Sequence, residues 1–474
     1  MKFSLTYIVL QIALLLTVSA TPLVADGELP AFPGAEGFGA ETPGGRGGQV
    51  IEVTTLDDDG PGSFRAACEA KGPRIVVFRT GGMIEVHSPI VILEPFITIA
   101  GQTAPGDGIT LKAAPEMRRT VVQVASHDVV IRGLRVRRGP SGEKTVSGDA
   151  ISIHNQDAAP QRIVIDHCSI SWGTDENLDA WYSASDITIQ WCVISEALEN
   201  SSHPKGPHSK GTLMGSDVRR VSYHHNLLAH NVARNPQFSN DEGPDHIINN
   251  VIYNWKYFGS QFSTPEKQAP KVNLIGNTYQ AGPDTRKVRY EVQLSNYPKQ
   301  PLFYVRDNVG PHRPDGTADE WALIGDASPA LGKDQMIVPA AKEIQRQKPW
   351  PASPIPVTIN PAGQAYELVL DQAGVTVPRR DAVDQRVIAD VQSTTGRCID
   401  DPSDVGGWPK LDPGTPPADA DHDGMPDQWE KEHGLDPNNA NDRNGKVASG
   451  YTRIEEYLNS LFRPGTNQGT IRTP

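Results

Sequence analysis

Five short stretches in the middle of the chain repeat one pattern of apolar and polar positions. They are IVIDHCSI (163–170), ITIQWCVI (187–194), VSYHHNLL (221–228), DHIINNVI (245–252) and VNLIGNTY (272–279). Each is rich in apolar residues and places a thiol or amide sixth: Cys168, Cys192, Asn226, Asn250 and Asn277. FYVRDNVG (303–310) adds Asn308, and the intervals are 24, 34, 24, 27 and 31 residues. FITIAGQT (96–103) and DVVIRGLR (128–135) extend the pattern upstream, with Gly101 and Gly133 at the matching corner. One short strand per repeat, unequal loops and no helix between predict a solenoid. A period of about 25 residues predicts the coils of a parallel β-helix, an all-β fold. A β-sandwich would give turn signals every ~8–12 residues, and these intervals are longer.

Strands stacked about 4.8 Å apart turn a repeated position into a ladder. Asn226, Asn250, Asn277 and Asn308 should therefore form an inward amide ladder, with Cys168 and Cys192 on its first rungs. Stacked cysteines lie within the Cα range of a disulfide, but ladder direction need not suit one. Two packed thiols are the other reading. The stretch GSFRAACEA (62–70) predicts a short helix covering the open end of the stack, which a solenoid requires. Residues 330–402 lose the repeat and should wrap back over the coils.

The ends of the chain read differently. Residues 1–25 hold one Lys, a short apolar run and the small-x-small site Val18-Ser19-Ala20. This predicts a secretory signal peptide over 1–20, with Ala25 as the alternative cleavage site. The run is short for a membrane span, which needs ~20 apolar residues. The expected product is an exported, monomeric protein with a β-helix domain over 26–402. Residues 403–418, rich in Pro, Gly and Asp, read as a linker, followed by a tail over 419–474.

Charge narrows the partners. The 474 residues carry 44 Lys and Arg against 57 Asp and Glu, a net charge of −13. That argues against nucleic acid, which needs a basic footprint. A polyanionic substrate would need a local basic patch or bound cations. With 44 Gly and 40 Pro the chain suits a turn-rich β protein. DENLDAW (175–181) then stands out, with Asp175, Glu176 and Asp179 crowded between two strand-like stretches. Like charges this close raise one another's pKa. The stretch is either a solvated acidic turn or a cation site.

A second acidic cluster lies in the tail. DADHDGMPDQWE (419–430) fits the calcium-loop pattern D-x-D-x-D-G-x5-E. It nominates Asp419, Asp421, Asp423 and Asp427, with Glu430 at the bidentate place and Gly424 at the turn. The Pro-rich run before it argues against a full entering helix. The loop thus resembles the single-helix calcium repeats of thrombospondin type 3 or dockerin modules; an acidic spacer is the competing reading. NDRNG…IEEYLN (441–459) resembles a degraded partner, with Asp442, Asn444 and Glu455 as weaker candidates.

Six motifs occur in order: AFPGAEGFGA (31–40), DHCSISWG (166–173), HSKGTLMGSD (208–217), YHHN (223–226), ARNP (233–236) and INNVIYN (248–254). Together, over residues 31–402, they resemble the polysaccharide lyase family 1 pectate lyases. The resemblance implies a right-handed parallel β-helix that cleaves pectate (polygalacturonate) by β-elimination with calcium, giving 4,5-unsaturated oligogalacturonides. Its calcium ligands fall on Asp149, Asp175 and Asp179. Its substrate-binding Lys falls on Lys210 and its catalytic Arg on Arg234, two before Pro236. Where many members carry a further Asp and a second Arg, this chain has Ser147 and Ser239, which bears on calcium stoichiometry and substrate grip.

The chemistry suits these residue types. Calcium takes ~6–8 oxygens, so three acids leave places for sugar and water; Glu176 could replace a neighbour. Arg234 would take the C5 proton, with its pKa lowered by nearby cations, which implies an alkaline optimum. Lys210 would add positive charge beside the substrate carboxylate. Taken alone, Arg234 also reads as a surface salt bridge and Lys210 as a solvated loop residue. His224 and His225, adjacent on a strand, face opposite sides and read as packing. Two other functions stay open. A polygalacturonase could use Asp175 and Asp179 as an acid–base pair, leaving Lys210 and Arg234 unexplained. A non-catalytic glycan-binding β-helix is the third.

Overall fold

The structure, a computed structural model, describes residues 29–143, 146–240, 243–263, 271–286, 290–295, 302–327, 338–339 and 345–462. The expected signal peptide, 1–20, lies outside the described residues. No helix among the described residues is long and apolar enough to cross a membrane.

The chain winds as a right-handed parallel β-helix of three sheets, with ten, ten and eight strands among the described residues. One coil shows the rule. Gln161–Asp166 lies in the first sheet, Ser169–Ser171 in the eight-stranded sheet and Glu176–Ala180 in the other ten-stranded sheet. Ser185–Gln190 then returns to pair in parallel with the first, Ile163 beside Ile187 and Ile165 beside Ile189. Those four isoleucines point inward and are fully buried. The inward rows of all three sheets merge into one core reaching from Val53 to Ile324. The exception to parallel pairing is Val338–Pro339, antiparallel to Ile324–Ala327.

The amide ladder forms as the spacing predicts. Nδ2 of Asn226, Asn250 and Asn277 donates to Oδ1 of the next Asn at 3.0, 3.0 and 2.9 Å. Each Nδ2 also donates to a backbone carbonyl, of Ile189, Tyr223 and Ile247. A carboxamide, with two donors and a doubly accepting oxygen, is satisfied there without water. Cys192 joins the row through its N–H, 2.9 Å from Asn226 Oδ1, and both it and Cys168 are buried free thiols. The packed-thiol reading therefore holds in this structure.

The register refines the corner. Ile163 pairs with Val129, so Gly133 falls one place before the ladder, whose position there belongs to Leu134. The place before the ladder is left-handed in coil after coil: Gly133, His167, Trp191, His225, Asn249, Gly276 and Asp307 all have φ between 48° and 64°. Glycine enters that conformation without a Cβ penalty, and Asn, Asp and His tolerate it best of the rest. The ring of Trp191 stacks on His225 at 4.4 Å and on His167 at 6.0 Å, which helps hold the turns.

Covering segments leave one face for the site. The short helix is Phe64–Glu69, capped by the Ser63 hydroxyl, and it buries Phe64, Ala67 and Cys68 at the end of the stack. Buried Arg74 donates to the carbonyls of Ala67 and Cys68, which the short helix leaves open. The wrapping segment supplies helices Ala362–Gln372 and Ala382–Ser393. Their Val369, Leu370, Val387 and Val391 pack on Val193, Leu227, Val251 and Tyr253 of the eight-stranded sheet. Residues 31–40 cover Val130 and Val164 of the first sheet. The third outer face carries instead a row in register that is polar but for Leu213: Gln123, Ser152, Asp179, Leu213, Gln237, Gln261 and Gln293.

The stretch expected as a linker runs as a strap along the coils. Asp107 N–H donates to the Asp412 carbonyl at 2.8 Å, and Asp412 N–H returns to Asp107 Oδ2 at 2.7 Å. Trp408 meets Trp172 edge-on at 4.7 Å. The tail then docks: Met425, Ile454, Tyr457 and Leu458 pack on Ile75, Val77 and Ala100 of the first coils.

Candidate active site

DENLDAW is not a solvated turn. Glu176–Ala180 is a strand in which every residue is buried, paired on one side with Ile151–Ile153 and on the other with Lys210–Met214. Ser152 lies beside Asp179, and Glu176 beside Lys210. Ala233 bridges to Lys210 one coil on. Four successive coils thus bring Asp149, Asp175 with Glu176, Lys210 and Arg234 to one edge of the third face.

Carboxylate oxygens of Asp149, Asp175 and Glu176 lie within 4.8 Å of one another. Asp149 Oδ1 accepts the Glu176 N–H at 2.9 Å. Asp175 is oriented by two imidazoles: His208 Nε2 stands 2.8 Å from its Oδ1, and His203 Nε2 3.4 Å from its Oδ2. Those rings stack with centroids 3.7 Å apart. Asp179 stands beside this group rather than in it. It lines the same shallow depression as Asp149, together with Ser152, His154, Trp181 and Tyr182. Its Oδ2 accepts Trp181 Nε1–H at 2.7 Å, and its Oδ1 is buried without a hydrogen bond.

The electrostatics show carboxylates short of countercharge. Burial, then the charges of Asp179 and Asp175, push Asp149 well above the ordinary carboxylate range. Burial pushes Asp179 up to about 7 against the Ser152 and Trp181 hydroxyl and indole. Asp175 is half-buried, yet the His208 hydrogen bond and the charges of His208, His203 and Arg234 hold it below its ordinary value. Three carboxylates within reach of one another, with Asp149 raised by burial and like charges, fit a hard cation such as calcium. Asp149, Asp175 and Glu176 would hold it, with Asp179 at the margin.

Lys210 and Arg234 border the acids, as does buried Arg138, whose pKa burial lowers to about 10 against the pull of Asp149 and Asp175. Lys210 is half-buried, and burial lowers its pKa against the pull of Asp175 and Glu199. It is therefore not a solvated loop lysine. Arg234 has φ +61°. Its N–H donates to Gln261 Oε1 at 3.2 Å, and its carbonyl accepts the Thr212 N–H at 2.7 Å. Burial lowers its pKa against Asp175 and Asp149. Its Nη1 pairs with buried Glu176, so its ion pair belongs to the site. His224 and His225 do not face opposite sides as expected: the strand ends at His224, His225 takes the left-handed corner at φ +54°, and the two buried rings meet Nδ1 to Nδ1 at 3.0 Å in packing. Sequence reasoning missed the roles of His203 and His208; their signal was a pair of histidines between the acidic strand and Lys210.

The tail brings together a different set from the one its motif nominates. Asp419, Asp421 and Asp423 form one group within 4.8 Å, and Asp423, Glu430 and Asp442 another. Asp427 is in neither. It starts the helix Asp427–Glu432, and its Oδ1 accepts the Ala420 N–H at 2.7 Å. Glu455 is used in a capping box with Thr452 and an ion pair with Arg46 at 2.8 Å.

No family model matches the chain. Relatives do. A probable pectate lyase C of Aspergillus fumigatus is 39% identical over 435 residues, covering 91% of this chain and 94% of the relative. The chain belongs to the pectate lyase family. Of the three functions left open by the sequence, the family selects the lyase. The match covers more of the chain than residues 1–418 supply, so it reaches into the tail. A probable pectate lyase C of Emericella nidulans is 35% identical over 439 residues, covering 92% of this chain and 94% of the relative. A probable pectate lyase 5 of Arabidopsis thaliana is 29% identical over 272 residues, with 53% and 61% covered. Among solved structures, the major allergen from cedar pollen matches 72% of this chain and 93% of its own, with TM-score 0.52 and 18% identity. That likeness concerns the fold.

Proposed function

We propose that this lyase cleaves polygalacturonate by calcium-dependent β-elimination and releases 4,5-unsaturated oligogalacturonides. The observation that carries the reading is one edge of four coils where Lys210 and Arg234 border the Asp149–Asp175–Glu176 group. Both partners of a polyanion are there: cations of the protein, and acids able to hold calcium.

When bound, calcium supplies a Lewis acid to the uronate carboxylate, where charge develops as the C5 proton leaves. Lys210 adds positive charge to the same carboxylate. Arg234 takes the C5 proton; the C–H electron pair becomes the C4–C5 double bond as the C4–O4 bond breaks, and the departing O4 takes a proton from water to become the hydroxyl of the released chain. Burial already lowers the guanidinium pKa, whereas the Glu176 ion pair opposes proton loss. Glu176 must therefore loosen from Arg234 for the base to act, and it would find its alternative partner in a cation held by Asp149 and Asp175. At the place of the family's second Arg, Ser239 shares a 2.8 Å hydrogen bond with Ser263. Substrate grip there is neutral, so Lys210 and the cation carry the anionic contacts.

The reading extends to an exported, monomeric enzyme acting outside the cell, on the pattern of residues 1–20, and to a second calcium site in the tail loop. The test is product absorbance on polygalacturonate with and without chelator. Ultraviolet-absorbing products that vanish on chelation are expected. Products lacking that absorbance, or full activity in chelator, would refute the mechanism.

A further inference from the structure

The tail acids come from three segments: the loop 419–424, the helix Asp427–Glu432 and the turn Asp442–Asn444. Asp423 and Glu430 are fully buried. Asp423 Oδ2, both Glu430 Oε atoms and Asp442 Oδ1 are buried without a hydrogen-bond partner. Among the described residues, the cation beside the group is Arg79, 3.8 Å from Asp419 and shared with Glu52 at 3.2 Å. Buried carboxylates left unpaired are strongly unfavourable, so this arrangement needs a cation. The donors are all oxygen and the loop turns at Gly424 with φ +91°, which suits calcium over a softer metal.

The same residues make the contact with the β-helix. A Cβ on Gly424 would stand 3.1 Å from Val50 Cγ1 and 3.4 Å from Val77 Cγ1, so the loop backbone lies directly on the first coils. Met425, between Asp423 and Glu430, is fully buried against Ile75, Val77 and Ala100. Mutual repulsion that opened the carboxylates would carry Gly424 and Met425 off that surface.

We propose that calcium held by Asp419, Asp421, Asp423, Glu430 and Asp442 is the fastener that keeps the tail docked on the N-terminal coils. This rests on reading the loop as a calcium site, and it assigns that ion a structural role separate from the sugar-facing group. At free calcium about 100-fold above its dissociation constant, the docked state gains about 100-fold over the released one. Cleavage of an opened segment follows the open population when reclosing is fast.

The experiment uses the full chain, calcium chloride as probe and a low-specificity protease, with fragments read by mass spectrometry. Cuts within 419–462 should come about 100-fold faster in chelator than in calcium. The double variant Asp423→Asn/Glu430→Gln should bind one calcium fewer and lose the protection at any calcium level. In the wild type, protection should rise with free calcium along the occupancy curve of the site the variant lacks. One ion fewer with protection intact overturns the fastener. Unchanged stoichiometry in the variant overturns the cation reading of the loop as well, and protection independent of calcium in the wild type does the same for the fastener. None of these readouts uses pectate, so failure of the proposed lyase mechanism would register separately.

Discussion

Replacing Arg234 with Lys separates a proton-abstracting group from one that balances charge. The backbone at this position is fixed from both sides, by Gln261 on the N–H and Thr212 on the carbonyl. Both side chains carry a Cβ, so the φ of +61° is as costly for Lys as for Arg. The substitution therefore acts at the tip. Lys keeps the positive charge beside Glu176 but loses the planar fork. Its nitrogen falls short by about 1 Å, and such misplacement costs about 100-fold in rate. That is about 2.7 kcal/mol of transition-state stabilisation. The loss should appear in kcat, since the contact forms in the transition state. Initial rates of product absorbance at saturating calcium and alkaline pH measure it. Apparent calcium affinity should hold, and the denaturation midpoint should move by no more than about 0.5 kcal/mol. A kcat within a few-fold of wild type would remove Arg234 as the base, and Lys210 would be the next candidate.

Three further outcomes are expected. Asp175→Asn and Asp179→Asn should each weaken calcium-dependent activity by about tenfold or more at low calcium, with excess calcium restoring part of it; undiminished activity in both would remove them as ligands. In chelator the protein should lose stability as pH rises from 3.8 to about 7, because folded Asp179 holds its proton over that window and the unfolded carboxyl does not. Saturating calcium should flatten the slope, and melting temperatures unchanged across the window in chelator would contradict it. Asn250→Ala removes four ladder hydrogen bonds and leaves the Asn226 N–H without its acceptor, a loss of about 3 kcal/mol or more by denaturant titration; a loss under about 1 kcal/mol would mean the ladder is not a unit.

The coil architecture was legible because each coil had to solve the same problem. In the later coils a buried amide at the turn after the first sheet caps the preceding coil's backbone, and Asn226, Asn250, Asn277 and Asn308 do this at a fixed offset. The acids were legible as a cluster, but their division was not. Which of Asp175, Glu176 and Asp179 meets Asp149 depends on strand register and on imidazoles that arrive from a loop some thirty residues away. Asp427 stands apart from the two acid groups for a local reason: the motif counts ligands by spacing, whereas here the helix begins at that residue and its carboxylate turns back to Ala420. Asp442 takes a place in the cluster from beyond the motif.

Docking of the tail had a signal of a different kind. A strand that faces core on one side and water on the other alternates, but RIVVF (74–78) is buried at every position. Such a run implies cover on both faces. Val76 and Phe78 serve the coil interior, and Ile75 and Val77 serve the tail. The run states that something lies over the outer face without stating what. The tail's own pattern supplies the complement, since Met425, Ile454, Tyr457 and Leu458 form an apolar set too small to be a core. Each half is incomplete alone, and Met425 sits between the buried acids Asp423 and Glu430. The acidic loop and the apolar face of the first coils are therefore two parts of one joint.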